Sequence, residues 1–235
     1  AFNKAIWIIK DNNLDSAFVF AEQSYEYAFE KGIKNKIARA TNIKGVIFKL
    51  KGREKEALEY YQKSLSIYKE INDVRGITIQ NNNIATIFTS SGESQKSFDL
   101  LMINYKLFNE INDTALQIVT MSNLNYECFR LNKPDSSLLF LNQAIELSKK
   151  HSKSYNLSGL YRVMSGRFRT INDSDSAILF LNKSYEIDLK NNNLRGQAAY
   201  FKLFSEILYE QKNYKRSLKM GSVKACLLLR CAASS

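Results

Sequence analysis

Apolar residues recur along this chain at three- and four-residue steps. From Glu54 to Ile71 they lie on one helical face: Ala57, Leu58, Tyr61, Leu65 and Tyr68. A second helical pattern runs from Ile77 to Thr89, with Asp73 placed to cap its start and Gly92 placed to end it. Neither helix could bury its apolar side alone, so the pattern predicts a helical hairpin that packs against neighbours of the same kind.

The hairpin pattern repeats at a period of 40 residues. One column is always small: Ala17, Ala57, Ser97, Ser137, Ala177 and Ser217. The column after it is always large: Phe18, Leu58, Phe98, Leu138, Ile178 and Leu218. A third column is small or short, and comprises Gly45, Ala85, Asn125, Ser165 and Ser205. Small columns predict close helix crossings, and large columns predict the side chains that fill the space between helices.

These columns resemble the tetratricopeptide repeat (TPR), in which a small residue lies midway along the first helix and an alanine opens the second. The period is 40 residues rather than the usual ~34, and the proline that often ends the second helix is missing, since Pro134 is the only proline. A period of 40 also suits HEAT-type helix pairs, but the small columns favour the TPR. The segment Asn82-Asn83-Ile84-Ala85 is similar to a run in the longer TPR units of kinesin light chains and bacterial peptide-sensing regulators.

The resemblance implies an all-α fold, a right-handed superhelical solenoid of about six antiparallel helix pairs. We expect units at residues 1–32, 33–72, 73–112, 113–152, 153–192 and 193–219. The chain opens inside a helical pattern, which predicts that it begins part-way through a repeat. Residues 220–235 break the columns; a non-native segment and a divergent capping helix are the two alternatives.

The formal net charge is +11 and the isoelectric point about 9.4, which favours acidic partners at long range. The basic residues are scattered among Asp and Glu, so a nucleic-acid role is the weaker alternative to a solvated basic surface. No apolar run is long enough to span a membrane. Cys128, Cys226 and Cys231 form neither a disulfide framework nor a metal spacing, and Cys128 lies in an apolar column where a buried thiol is expected.

The sequence gives catalysis little support. His151 is the only histidine, and it follows two lysines near a predicted helix end, where a solvated cation is expected rather than a general base. No nucleophile, histidine and carboxylate set and no glycine-rich phosphate loop stands out. We therefore expect no enzyme activity, no cofactor and no metal site.

A binding groove has better support, because stacked hairpins curve and the first helix of each pair lines the concave surface. In the TPR family, ligand contacts come from the exposed face of that helix. Asparagine amides can donate to and accept from an extended peptide backbone, and arginine or lysine can bind a carboxylate. The corresponding residues here are Arg39, Asn42, Lys49, Asn82, Asn83, Asn123, Tyr126, Arg130, Arg162, Arg169 and Lys202, with Thr86 and Tyr209 beside them. The lysines do not follow the family's carboxylate-clamp pattern.

The sequence thus predicts a protein-interaction scaffold that binds a peptide or partner segment, acidic or extended, in a concave groove. The alternative is the sensory or regulatory segment of a larger bacterial signalling protein, such as a histidine kinase or a transcriptional regulator, whose output domain is absent from this sequence. An odd number of cysteines without a disulfide framework favours a cytoplasmic location. A periplasmic location is the alternative if an upstream signal peptide has been removed.

Overall fold

The structure is a computed structural model that describes residues 13–110, 113–150 and 156–222. In these ranges it contains α-helices and one 3₁₀ turn, Phe108–Glu110, and no strand. The helices are α1 Leu14–Glu30, α2 Lys34–Leu50, α3 Glu54–Glu70, α4 Val74–Ser90, α5 Ser94–Lys106, α6 Thr114–Arg130, α7 Pro134–Lys150, α8 Leu157–Thr170, α9 Ser174–Lys190 and α10 Leu194–Glu210. Residues 214–222 are also helical.

Left-handed residues end the helices at a spacing of 20 residues. Gly32, Gly52 and Gly92 have positive φ angles, as the sequence predicted for Gly92. The same position is taken elsewhere by Asn72, Asn132, Asn172, Asn192 and Lys212, with φ between 51° and 60°. Asparagine tolerates the left-handed region better than other residues with a Cβ, so it replaces glycine as the helix stop in each of these turns except the one at Lys212.

Short polar side chains begin several of the helices. The Asp73 carboxylate accepts a hydrogen bond from the Gly76 amide at 2.9 Å, which confirms the predicted cap. The Asp173 side chain accepts from the Ser176 amide and caps α9, and Asn193 caps α10 in the same way. Pro134 is the first residue of α7, where its missing N–H costs no hydrogen bond.

The chain divides into two compact units, Ala1–Leu138 and Leu139–Ser235, with the division inside α7. In the first unit each helix from α1 to α6 packs against the next, and α4 also contacts α6. The small column is buried at these crossings: Ala17, Ala57 and Ser97 are 0% exposed. The Gly45 column is buried for the same reason, since a Cβ on Gly45 would lie 2.7 Å from the ring of Tyr61.

In the second unit, α8 packs against α9 and α9 against α10, and α8 also contacts α10. Its core contains Ala177, Leu181, Phe204, Ile207 and Leu208. Consecutive helices joined by short turns therefore form antiparallel pairs in both units, and the predicted all-α, TPR-like fold class is confirmed. The unit boundaries proposed from the 40-residue period stay a prediction.

Two predictions concern residues away from the candidate site. Cys128 is 0% exposed, as its apolar column predicted. The first helical stretch at residues 1–12, His151, Cys226, Cys231 and most of the 220–235 tail lie outside the described residues.

Candidate functional site

The first helices of the pairs in the first unit are α2, α4 and α6. We call the side of these helices that carries Asn42, Lys49, Asn83, Asn123 and Tyr126 the first-helix face. The sequence predicted that this face would present its polar groups to a partner. The structure shows that four of these five side chains also form a hydrogen bond to a side chain of a neighbouring first helix.

Two hydrogen bonds join α2 to α4 on this face. The Asn83 amide donates to the Asn42 side-chain oxygen at 2.9 Å. The Lys49 ammonium donates to the Thr86 hydroxyl at 2.5 Å. Burial lowers the pKa of Lys49, an effect that the charge of Glu54 partly opposes. Asn42, Lys49 and Asn83 are each half-buried, so they keep some contact with solvent.

The joint between α4 and α6 places Asn82 in the interior. Asn82 is only 5% exposed. Its amide donates to the Thr120 hydroxyl at 2.9 Å and to the Thr78 carbonyl at 3.1 Å, and its oxygen accepts from Asn123 at 3.3 Å. The expectation that Asn82 would face a peptide is therefore wrong, because its amide is consumed in holding α4 against α6.

Arg130 and Tyr126 form the solvent-facing part of α6. The Arg130 guanidinium donates to the Thr89 carbonyl of α4 at 2.7 Å and lies 5.9 Å from the centre of the Tyr126 ring. Tyr126 is 52% exposed, and Val119 and Phe129 are exposed on the same helix. Two of the predicted residues thus lie on a partly aromatic, accessible part of the first-helix face.

Arg39 and Asn42 line a cleft of about 440 Å³ near the starts of α2 and α4. Tyr68, Asp73 and Arg75 complete much of its wall. Arg75 pairs with Asp113 at 2.8 Å. Burial, together with the negative charge of Asp73, raises the pKa of Tyr68 to about 12. The cleft combines positive charge, an amide and an aromatic ring, which suits an extended polar segment.

The predicted arginines of the second unit are bound to carboxylates of the chain itself. Arg162 donates to the Asp188 carboxylate at 2.6 Å and to the Ser184 hydroxyl at 2.8 Å, and Asp188 is only 1% exposed. Arg169 binds Glu206 at 2.8 Å and Glu210 at 2.6 Å on α10. Arg162 and Arg169 are therefore poorly placed to bind a ligand, because carboxylates of the same unit already neutralise their charges.

Lys202 differs from these arginines, since 58% of its side chain is exposed and its ammonium lies 4.0 Å from Glu206. Tyr209, which the sequence placed beside it, is 63% exposed and contacts the Tyr214 ring edge-on at 5.2 Å between centres. The predicted residues of α10 are therefore accessible to solvent, whereas those of α8 are bound to carboxylates of the chain.

Sequence reasoning missed Glu127, a buried carboxylate on α6. Glu127 is 1% exposed, and the Thr89 hydroxyl donates to its Oε1. It lies three residues after the buried Leu124 and one before Cys128. An acidic residue at the helical spacing of a buried face was the signal that could have identified it.

Comparison with known proteins agrees with this geometry. Residues 38–71, which cover most of α2 and all of α3, match the family model of the tetratricopeptide repeat. The chain carries a tetratricopeptide repeat. The small column is also buried at Ala17, Ser97, Ser137 and Ala177, and the resemblance predicted from the sequence is confirmed. No curated protein shows significant sequence similarity to the chain.

Solved structures with the same fold include BtubC (BKLC) from P. vanneervenii, at 14% identity and a TM-score of 0.76 over 95% of this chain and 93% of that one. The apo form of the quorum sensor NprR from B. thuringiensis gives 16% identity and a TM-score of 0.77 over 90% of this chain and 60% of NprR. A Rap protein complexed with competence and sporulation factor gives 10% identity and a TM-score of 0.74 over 99% and 75%. At these identities the likeness establishes the TPR-like fold alone.

None of the described helices is both long and apolar enough to cross a membrane. Within the same residues, no three His, Cys, Asp or Glu side chains come together as a metal site.

Proposed function

We propose that this chain is a protein-interaction module that binds an extended peptide or partner segment on the first-helix face of its first unit. The observation that carries the proposal is the pairing of an accessible aromatic surface at Tyr126 with the polar cleft at Arg39 and Asn42. Half-buried amides lie between these two features at Asn83 and Asn123. Such amides suit backbone recognition in extended peptides.

The solved relatives support the same class of function. NprR is described as a quorum sensor, and the Rap protein was solved with competence and sporulation factor. The net charge of +11 favours a partner with acidic residues near its contact segment. Asn82 leaves the proposed contact set because it is only 5% exposed, and Arg162 and Arg169 leave it because carboxylates of the chain pair with their guanidinium groups.

A second candidate is the sensory segment of a larger bacterial regulator. The observation in its favour is the likeness to NprR, of which the aligned region makes up 60%. This candidate also works through binding, so the two share the first-helix face and differ in whether binding is passed to an output domain.

The proposal is tested by binding to an unbiased peptide array at two salt concentrations. Tyr126→Ala removes an exposed ring from the first-helix face, and Asn42→Ala removes an amide from the cleft. Tyr27→Ala is the matched control, because Tyr27 is 56% exposed on α1, a second helix of a pair. We expect selected peptides to lose at least tenfold in affinity with Tyr126→Ala and to be unchanged with Tyr27→Ala.

Equal losses in both tyrosine variants, or no selective peptides at all, would contradict the proposal. The salt series separates peptide binding from nucleic-acid binding, because phosphate contacts release counterions and lose affinity steeply with salt. A groove that binds peptide amides would lose far less.

A further inference from the structure

The carboxylate of Glu127 is buried and only half satisfied. Its Oε1 accepts a hydrogen bond from the Thr89 hydroxyl. Its Oε2 has no hydrogen-bond partner within the described part of the chain, although the residue is 1% exposed. A buried carboxylate oxygen without a partner is costly, and native proteins pair such groups with a donor or a cation.

A small cavity lies beside this carboxylate. It measures about 60 Å³, and its lining includes Glu127, Thr86, Asn123 and Tyr126. Thr86, whose hydroxyl accepts from Lys49, and Asn123, whose side chain carries an acceptor oxygen, both line the cavity. The nearby cations bind other atoms of the lining residues, since Lys49 donates to the Thr86 hydroxyl and Arg130 donates to the Thr89 carbonyl.

We propose that this cavity is a binding site for a primary ammonium group. Three N–H donors on one compact charge match an anionic oxygen surrounded by hydroxyl and amide acceptors. The cavity has room for about two water molecules at ~30 Å³ each, which admits an ammonium head and is small for a planar guanidinium. The Tyr126 ring beside it adds a surface that attracts cations.

The ammonium is supplied by a lysine side chain or by the free N-terminus of a bound segment. This step rests on the proposed peptide-binding function, because Asn123 and Tyr126 belong to both the cavity and the first-helix face. The net positive charge of this chain favours an acidic partner, and the proposed site adds the requirement for one basic group in that partner. The cavity can nevertheless be tested without any peptide.

The first measurement uses methylammonium chloride as the probe. The ¹³C resonance of the Glu127 carboxyl carbon is followed by NMR at constant ionic strength, with tetramethylammonium chloride as the control that is too bulky for the cavity. We expect a saturable shift with methylammonium and none with tetramethylammonium. Equal responses to both salts, or no saturable response, would show a cavity that holds only water and would overturn the proposal.

Two variants locate the site. Glu127→Gln keeps the shape of the side chain and removes its charge, whereas Glu59→Gln removes the same charge from an exposed position on α3. We expect Glu127→Gln to weaken methylammonium binding at least tenfold, as judged from the Tyr126 and Asn123 resonances, and Glu59→Gln to leave it unchanged. If Glu127→Gln unfolds, the wild-type titration still decides the question.

Array peptides then distinguish the two sources of the ammonium. Replacement of a lysine by norleucine tests the side chain, and N-terminal acetylation tests the terminus. One change should lower affinity in the wild type and have no effect in Glu127→Gln. Failure of the methylammonium titration alongside selective peptide binding would reject the ammonium site and leave the proposed function standing.

Discussion

Two equivalent helix contacts, α3 with α4 in the first unit and α9 with α10 in the second, fill the same space with different side chains. We call each contact a joint. Tyr68 and Asp188 occupy the same place in the repeat, three steps of 40 residues apart, and so do Gly76 and Gly196. A Cβ on Gly76 would lie 2.2 Å from the Tyr68 ring, and one on Gly196 would lie 2.3 Å from the Asp188 carboxyl group. In both joints glycine opens the next helix because the preceding side chain fills its space.

The residues around each joint match its chemistry. In the first unit the helix cap is Asp73, next to a neutral phenol. In the second unit the cap is Asn193, whose amide donates to Asp188 at 2.8 Å. Arg162 neutralises the same carboxylate. The repeat thus dictates the shape of the joint, whereas local partners decide whether the joint is aromatic or ionic.

The largest expected effect is the removal of Arg162 from the ionic joint. Arg162→Met leaves the Asp188 carboxylate buried without its cation, which costs about 3 kcal/mol when one partner of a buried pair is removed. Urea unfolding at pH 7 measures the loss. The double variant Arg162→Met/Asp188→Asn removes the buried charge and should recover most of the stability, so a double variant as unstable as the single one would contradict the ion-pair account.

The next effect tests whether the cap is chosen to suit the joint. Asn193→Asp keeps a good cap but places a second carboxylate against Asp188, and we expect a loss of about 2 kcal/mol at pH 7. The mirror change, Asp73→Asn, should alter stability by less than ~0.5 kcal/mol. Because one of two adjacent carboxylates retains a proton at a raised pKa, the Asn193→Asp penalty should shrink between pH 7 and pH 5. A penalty that does not change with pH would indicate a lost cap instead.

Alkaline pH should lower the free energy of unfolding through the buried tyrosines of the first unit. Burial raises the pKa of Tyr61 to about 12, and the pKa of Tyr68 reaches the same value. The native state therefore keeps protons that the unfolded chain releases near pH 10, and stability is lost as pH rises from about 10 to 12. At pH 11 each tyrosine costs about 1.4 kcal/mol relative to pH 8.

The variant Tyr61→Phe/Tyr68→Phe measures this contribution. It should lose less stability between pH 8 and pH 11 than the wild type, as judged by the difference in urea midpoints. The exposed pair Tyr27→Phe/Tyr126→Phe serves as the control, since solvent-exposed phenols ionise equally in both states. An identical pH dependence in wild type and Tyr61→Phe/Tyr68→Phe would disprove the linkage.

The fold could be predicted from the sequence because close helix crossings require small side chains at fixed positions of the repeat. Ala57 and Ser97 are fully buried where the small column predicted helix crossings. The left-handed turns at Asn72 and Asn192 were not predicted, since asparagine signals caps, turns and ladders alike. Repeat spacing therefore located the helices better than it identified what ends them.

The candidate site was predicted only in part, because a long or amide side chain chooses among several partners within its reach. Asn82 and Arg162 occupy the same column as the exposed Lys202. Asn82 nevertheless turns toward Thr120 between α4 and α6, and Arg162 turns onto Asp188. Tyr126, by contrast, is 52% exposed and remains accessible. A column predicts which helix carries a residue, and the neighbouring repeat decides whether that residue is free to bind.

The smallest effect separates charged joints from neutral ones. Arg169 joins α8 to α10 through two carboxylates, and its side chain is 23% exposed. Asn83 joins α2 to α4 through one hydrogen bond between neutral amide side chains, at 2.9 Å. Arg169→Lys loses the bidentate geometry, and Asn83→Ala loses a neutral bond; each should cost about 0.5–1 kcal/mol. Salt at 0.5 M should shrink the first cost and leave the second unchanged, because only the charged joint is screened. Urea midpoints at two salt concentrations measure both, and a salt-dependent Asn83→Ala would mean that the first-helix face is held by charge after all.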